Sequence, residues 1–158
     1  MINKITKTLI LLLIFTTTSC SYKPIFSEKN YNFGIEKIEL EGEKEINRVI
    51  KNRLELIKRI NQKNKKQYKL KVETDKDRKI ISKDSKGDPV KFEFIIFANI
   101  EILEGKNLLT KKEIKINNIY NNDSDKFKLE QKERIIVNNL SRIVTDEIIS
   151  VIINLNDN

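Results

Sequence analysis

The alternation of apolar and polar residues after residue 33 predicts six elements in the order strand, helix, three strands and helix. Residues 33–40, FGIEKIEL, alternate with one slip between Ile35 and Ile38, which is typical of a bulged strand, and Gly42 ends it. From residue 43 to 63 the apolar residues recur every three or four positions, which predicts an amphipathic helix of about five turns. Its stripe lacks aromatic residues, which favours a core-facing helix over a membrane-surface helix.

Two strands joined by a turn follow this helix. Residues 68–74, YKLKVET, alternate strictly, which predicts a strand with one face in contact with water. Residues 75–82 can continue this strand. The segment 83–89, KDSKGDP, combines glycine, proline and aspartate, and it predicts a turn before the next strand.

The longest strand candidate covers residues 90–102. Every even position in it is apolar, and Ile95 and Phe97 are apolar as well. This pattern predicts a central strand that is covered on both faces for part of its length. A second turn at 104–107 leads to a last strand over residues 109–120.

A second helix closes the chain. Asp123, Ser124 and Asp125 supply start signals, and helical spacing runs over residues 127–155. Such a wide apolar stripe indicates either deep burial under the sheet or a surface that a partner protein covers. The residues of the stripe are Ile135, Ile136, Leu140, Ile143, Val144, Ile148, Ile149, Val151, Ile152, Ile153 and Leu155.

These elements predict an α+β fold in which two helices pack on one face of a four-stranded mixed sheet, in the order β-α-β-β-β-α. Both apolar helix stripes are then buried against the sheet. The other sheet face, which is rich in lysine, is expected to remain in contact with water. We predict one domain over residues 33–158.

The amino terminus has the pattern of a secretory signal. Lys4 and Lys7 precede an unbroken apolar run over residues 9–15, and small polar residues follow. The run is too short for a transmembrane helix, which needs about 20 apolar residues. We therefore predict a lipoprotein signal peptide over residues 1–19.

Cys20 is the only cysteine in the chain and directly follows two small residues. Bacterial lipoproteins are cut just before such a cysteine, which then receives acyl chains such as palmitate; Thr17 stands where their pattern usually has leucine. We predict that lipidated Cys20 begins the mature protein and that residues 20–32 tether the domain to the membrane. Ser21, in place of the aspartate that favours inner-membrane retention in Gram-negative bacteria, favours the periplasmic side of the outer membrane.

The composition lowers the expectation of catalysis. The chain has no histidine, the commonest general base and metal ligand, and one cysteine cannot form an internal disulfide or a zinc cluster. We therefore expect no enzymatic activity, no metal and no cofactor. The formal charge of +8 suggests nucleic acid or anionic lipid as a partner. Because the lysines are scattered among acidic residues, we do not expect a nucleic-acid partner.

One group of cations lies along the predicted strand, turn and strand over residues 78–91. Such a hairpin can place several positive charges against a phosphorylated ligand. The alternative is a solvated edge whose lysines discourage strand-to-strand aggregation. The candidate residues are Arg78, Lys79, Lys83, Lys86 and Lys91.

The order of these features resembles LptE, the lipopolysaccharide-assembly lipoprotein family of Gram-negative bacteria. The resemblance covers nearly the whole mature chain and depends on the order and spacing of its segments. They are CSYKPIF at 20–26, IEKIEL at 35–40, NRVIKNRL at 47–54, YKLKV at 68–72, YNNDSDKF at 120–127 and IISVIINL at 148–155.

The resemblance implies a non-enzymatic role and the same two-helix, four-stranded fold. LptE-like proteins plug the lumen of the outer-membrane barrel LptD, assist its assembly and bind lipopolysaccharide for delivery to the outer leaflet. By this resemblance the hairpin cations are candidate contacts for lipopolysaccharide phosphates, and LptD-like barrel, lipopolysaccharide and membrane are the expected partners. The alternative is a free periplasmic lipoprotein that binds a small ligand or a cell-wall component without a barrel partner.

Overall fold

The computed structural model describes residues 31–60 and 65–156. The predicted signal peptide, Cys20 and nearly all of the tether lie outside the described residues. A compact unit begins at Tyr31, two residues before the predicted start of the domain. Only this unit is described below.

Four strands and two helices occur in the order that the periodicity predicts. The elements are β1 Phe33–Gly42, α1 Lys44–Ile60, β2 Lys66–Lys83, β3 Pro89–Glu104, β4 Asn107–Asn121 and α2 Lys126–Asn156. The sheet order is β1-β2-β3-β4; β1 is parallel to β2, and the other neighbours are antiparallel. The predicted α+β fold with a four-stranded mixed sheet is confirmed.

The strands differ in length, and this divides the domain into two halves. β1 pairs with β2 only as far as Gly42, opposite Thr74, whereas β2 continues to Lys83 against β3. We call the part with four paired strands, where the chain enters at Tyr31, the tether half. The part from Asp75 to the β2–β3 turn, where only β2, β3 and β4 pair, is the hairpin half.

The core lies between one face of the sheet and the two helices. Alternate residues of the strands point toward the helices because successive strand side chains point to opposite faces. The most deeply buried side chains come from α1, the strands and α2, and they include Ile46, Ile50, Leu54, Leu70, Ile96, Ile100, Ile102, Val144, Ile148 and Ile152.

Five residues of the wide stripe on α2 are buried in this core and four more are half-buried against it, whereas Ile135 and Ile143 remain exposed. Two polar residues share the buried side of the helix. The hydroxyls of Ser141 and Thr145 donate to the carbonyls four residues earlier, at 2.6 and 2.7 Å. Local bonds therefore satisfy these buried polar groups without a partner from the sheet.

The connection from β1 to α1 depends on Gly42. Its φ of +92° is in the region that favours glycine, and a Cβ there would lie 1.9 Å from the carbonyl oxygen of Thr74. The Thr74 hydroxyl accepts the Glu43 N–H at 3.1 Å and donates to the side chain of Asn47 at 2.9 Å. These bonds fix the start of α1 over the tether half.

The helix-free face of the sheet is polar, with one buried apolar position. Ile95 on β3 is only 2% exposed, and the neighbouring Phe97 is half-buried. Their cover comes from neighbouring side chains on the sheet itself: Asn117 donates to Glu93 at 2.7 Å, and the Lys115 ammonium lies 5.5 Å from the Phe97 ring centre. The prediction that β3 is partly covered on both faces is therefore confirmed.

Candidate functional site

The β2–β3 turn holds its shape through the side chain of Asp84. Its carboxylate accepts the backbone N–H groups of Lys86 and Asp88, both at 2.9 Å. The backbone closes the turn with a bond from Asp84 N–H to the Asp88 carbonyl, also at 2.9 Å. The turn is therefore held by the Asp84 carboxylate and by a backbone hydrogen bond. None of these bonds uses a lysine side chain.

Three of the five predicted cations lie at this turn. Lys83 ends β2, Lys86 is in the turn and Lys91 is near the start of β3, and all three are exposed. Within residues 31–60 and 65–156, no ion pair involves the ammonium groups of these lysines. Their charges are available to an anionic ligand, as the phosphate-binding hypothesis requires.

Lys79 and Arg78 do not join these lysines. The alternation of β2 places the two side chains on opposite faces of the sheet. Lys79 lies on the helix-free face and pairs with Asp77 on its own strand at 3.3 Å. Arg78 lies on the face that α2 covers, opposite Phe94 of β3.

Arg78 connects three elements of the hairpin half. Its guanidinium carbon lies 3.7 Å from the centre of the Phe92 ring, and its Nε–H lies 2.8 Å from Glu133 of α2 and 3.1 Å from the Tyr120 hydroxyl of β4. Tyr120 also donates to Glu133 at 2.6 Å. This arrangement gives Arg78 a structural role in positioning α2 over the sheet.

The pKa shifts in this network follow from burial and hydrogen bonding. Burial, together with the hydrogen bond to Glu133, raises the pKa of Tyr120 to about 12. Burial alone would lower the pKa of Arg78, but the hydrogen bond to Tyr120 and the charge of Glu133 outweigh it, so the pKa of Arg78 is raised. The network therefore keeps Arg78 charged and Tyr120 protonated.

No protein-family model matches the chain, and no curated protein matches it in sequence. Solved structures do match its fold. Rare lipoprotein B from Shewanella oneidensis matches with a TM-score of 0.54 and 20% identity, over 75% of this chain and 98% of that one. Lipoprotein B from Nitrosomonas europaea matches with a TM-score of 0.56 and 16% identity, over 75% and 83% of the two chains. A minor lipoprotein from Acinetobacter baumannii matches with a TM-score of 0.51 and 16% identity, over 74% and 90%.

The chain has the fold of the LptE-type lipoproteins. The structural resemblance expected from the sequence is confirmed. The similarity in fold extends over nearly the whole length of the Shewanella lipoprotein.

Two further residues, Lys126 and Phe127, lie at the same end of the domain as the hairpin lysines, although they are far from them in sequence. The Asn122 side chain donates to the Pro89 carbonyl at 2.7 Å, and its N–H donates to Val90 at 2.8 Å. These bonds bring the start of α2, with Lys126 and Phe127, to the same end of the domain as the turn. One sequence feature could have pointed to the start of α2: its first turn contains lysines and no acidic residue.

The rest of the described surface was compared with the patterns of metal sites and of membrane-spanning helices. In the described part of the chain, no three acidic or cysteine side chains are grouped so that they could hold a metal ion. A depression of about 310 Å³ on the helix-free face is lined mainly by charged residues of both signs. Among the helices at 44–60 and 126–156, none is long and apolar enough to cross a membrane.

Proposed function

We propose that this chain is an outer-membrane lipoprotein that plugs an LptD-like barrel, assists its assembly and binds lipopolysaccharide for insertion into the outer leaflet. The observation that supports the proposal is the fold shared with the lipoprotein B structures, in a chain whose sequence predicts a signal peptide and a lipidated Cys20. The proposal treats the domain as a binding and assembly factor and assigns it no catalytic step.

The charged helix-free face supports the role of a plug. The lumen of a large outer-membrane barrel is polar, so a plug needs a surface that tolerates water and charge. On this face Lys111 pairs with Glu101 at 3.0 Å across β4 and β3, and Lys37 pairs with Glu39 along β1 at 2.6 Å. Such a charged face suits a polar, water-containing lumen better than an apolar one.

The turn lysines support lipopolysaccharide binding. Lipopolysaccharide carries phosphates, and ammonium groups bind phosphate through charge-assisted hydrogen bonds. Lys83, Lys86 and Lys91 supply such groups on an ordered hairpin. We assign phosphate contact to these three lysines and not to Arg78 or Lys79, whose charges are paired within the domain.

Lipidation of Cys20 would hold the plug at the membrane. An anchored plug meets its barrel at a higher effective concentration than a diffusing one, which favours assembly. Mass spectrometry of the mature amino terminus tests this step. We expect an acylated Cys20 as the first residue, and an unmodified Cys20 or cleavage elsewhere would contradict it.

Co-purification tests the central partnership. The full-length protein, tagged at its carboxyl terminus, is extracted from its own bacterium's membranes in mild detergent, beside an unrelated tagged lipoprotein as the control. We expect a large barrel protein at near-equal amount with this chain and none with the control. Recovery of intact protein without any barrel would favour the free periplasmic lipoprotein.

A further inference from the structure

The two outer strands of the sheet differ in how open their edges are. β1 has 10 residues and a bulge between Ile35 and Lys37. β4 has 15 residues, contains no proline, and pairs with β3 without a register shift from Thr110 to Asn121. Short strands and bulges protect an edge from pairing with another strand. β4 lacks both protections, and no described strand pairs with its outer side.

The lysines of β4 are the remaining feature that would protect its edge. Lys111 pairs with Glu101 at 3.0 Å, and Lys112 pairs with Glu147 of α2 at 3.9 Å. Within residues 31–60 and 65–156, the other two charged side chains of β4, Glu113 and Lys115, have no ion pair. The charges that β4 leaves unpaired are therefore one acid and one base, two residues apart on the same face of the sheet.

An antiparallel pairing of β4 with β4 of a second copy, centred on Ile114, matches these two charges. In this register Glu113 lies opposite Lys115 of the second copy, and two-fold symmetry repeats the pair. The register also sets Leu109, 40% exposed, opposite Ile119, 57% exposed. Opposite charges and apolar side chains in directly opposed positions stabilise antiparallel strands.

The neighbouring registers are less favourable. A pairing centred on Glu113 sets this residue against its own copy and Lys111 against Lys115. A pairing centred on Lys115 sets that lysine against its own copy. Like charges directly opposite each other are destabilising. A pairing centred between two residues brings side chains of opposite faces together, since the side-chain period of a strand is two.

The flank of α2 beside β4 carries an exposed apolar side chain. Ile143 is 45% exposed, and Glu147, one turn later, pairs with Lys112 of β4. Residues four apart lie on one side of a helix, so Ile143 lies on the β4 side of α2. Glu133, earlier in α2, bonds to Tyr120 near the end of β4. Ile143 therefore lies near the middle of β4, where the pairing is centred.

The spacing of strands allows the two copies of α2 to pack on each other. α2 contacts both β3 and β4. Neighbouring strands are about 4.8 Å apart, so two helices that each lie between β3 and β4 would be about 10 Å apart across the joined β4 strands. Helices pack at about 8–10 Å. Ile143 of one copy would then contact Ile143 of the other.

We propose that the edge of β4 binds β4 of a second copy of this chain, antiparallel and centred on Ile114. The two four-stranded sheets join into one, the Glu113–Lys115 pairs select the register, and the two Ile143 side chains pack above the joined strands. This inference goes beyond the proposed function, because self-association requires neither a barrel nor a lipid ligand.

Exchange of the two charges tests the register. The mature full-length lipoprotein in detergent is analysed by sedimentation equilibrium over a range of protein concentrations. We expect Glu113→Lys and Lys115→Glu each to weaken dimerisation roughly tenfold or more, because two favourable pairs become two repulsive ones. The combined variant Glu113→Lys/Lys115→Glu restores opposite charges and the dimer. Glu41→Lys, the same change at an exposed position of β1, is the matched control and keeps the dimer.

A second pair of variants tests the helix contact. Ile143→Asn is expected to weaken dimerisation about tenfold, because an apolar contact is lost from both copies. Ile135→Asn is the control, since Ile135 is 62% exposed on the other side of α2, beside Arg48 of α1, and it leaves dimerisation unchanged. Circular dichroism confirms that all variants are folded.

The outcomes separate this inference from the proposed function. A monomer at every concentration, or equal dimerisation of Glu113→Lys and the unaltered protein, would overturn the dimer. A monomer whose Glu113→Lys variant no longer co-purifies with a barrel would also overturn it, because the edge would then bind a strand of another protein. A dimer that the charge exchange restores, in a protein that recovers no barrel, would support this inference and contradict the proposed function.

Discussion

Both halves of the domain contain large apolar side chains, but the tether half buries them and the hairpin half leaves several of them exposed. In the tether half, α1 and α2 both cover the sheet, and Ile50, Leu54 and Ile148 are completely buried. In the hairpin half, only the start of α2 covers three strands, and the apolar residues at the end remain exposed. The comparison teaches that the most deeply buried core lies in the tether half, while the lysines that we propose as ligand contacts lie in the hairpin half.

The sharpest test of this comparison pairs one buried residue of the tether half with one exposed residue of the hairpin half. Leu54→Ala removes a fully buried side chain and is expected to lower the free energy of unfolding by about 2–5 kcal/mol. Ile80→Ala removes an exposed one and is expected to cost less than about 0.5 kcal/mol. Urea unfolding measures both, and similar losses in the two variants would break the comparison.

Two of the glycines with positive φ, Gly42 and Gly87, allow a second comparison of the halves. Gly42→Ala places a Cβ against the Thr74 carbonyl oxygen, so we expect a loss of roughly 2–4 kcal/mol. Gly87, in the β2–β3 turn, has φ +90° but open space around its missing Cβ, so Gly87→Ala costs only the conformational strain, roughly 1–2 kcal/mol. Thermal unfolding of both variants checks the difference; an equal or larger loss at Gly87 would contradict it.

Tyr120 makes the hairpin half sensitive to high pH. Folding raises the pKa of Tyr120 to about 12, above its ordinary value near 10. Its contribution to stability is therefore fully present below about pH 10 and is lost as the pH rises toward 12. Between pH 9 and pH 11, we expect the free energy of unfolding to fall more for the unaltered protein than for the Tyr120→Phe variant. Identical pH profiles in urea unfolding would argue against the network.

The smallest expected effect is at Tyr68 in the tether half. Its hydroxyl is buried, and among the described residues it has no hydrogen-bond partner. Removing an unsatisfied buried hydroxyl is nearly neutral or stabilising, so Tyr68→Phe is expected to change the unfolding free energy by no more than about 0.5 kcal/mol, or to raise it. A clear destabilisation would mean that this hydroxyl does have a partner.

Local patterns were sufficient for the fold. The alternation around Ile35 predicted a bulge, and the structure has its register shift between Ile35 and Lys37. The start signal at Asp125 is confirmed as a cap of α2. These features depend on residues that are neighbours in sequence, where periodicity and capping are informative.

The arrangement of the candidate site depends on contacts between residues that are far apart in sequence, which local patterns do not predict. Arg78 and Lys79 are adjacent in sequence but lie on opposite faces, and the partner of Arg78, Glu133, is far along the chain. The segment before α2 is likewise held at the β2–β3 hairpin by Asn122, which bonds to the Pro89 carbonyl. The grouping by sequence therefore combined residues that the structure places on different faces of the sheet.

The central claim is that Lys83 and Lys86 bind lipopolysaccharide phosphates and are not required for folding. The direct test measures lipopolysaccharide affinity and the free energy of unfolding for two double variants. Lys83→Glu/Lys86→Glu changes the β2–β3 turn, and the control Lys51→Glu/Lys106→Glu makes the same charge change at exposed positions outside that turn. We predict at least a tenfold loss of affinity, about 1.4 kcal/mol, for Lys83→Glu/Lys86→Glu alone, with the free energy of unfolding unchanged in both variants. Equal affinities in the two variants would contradict the account.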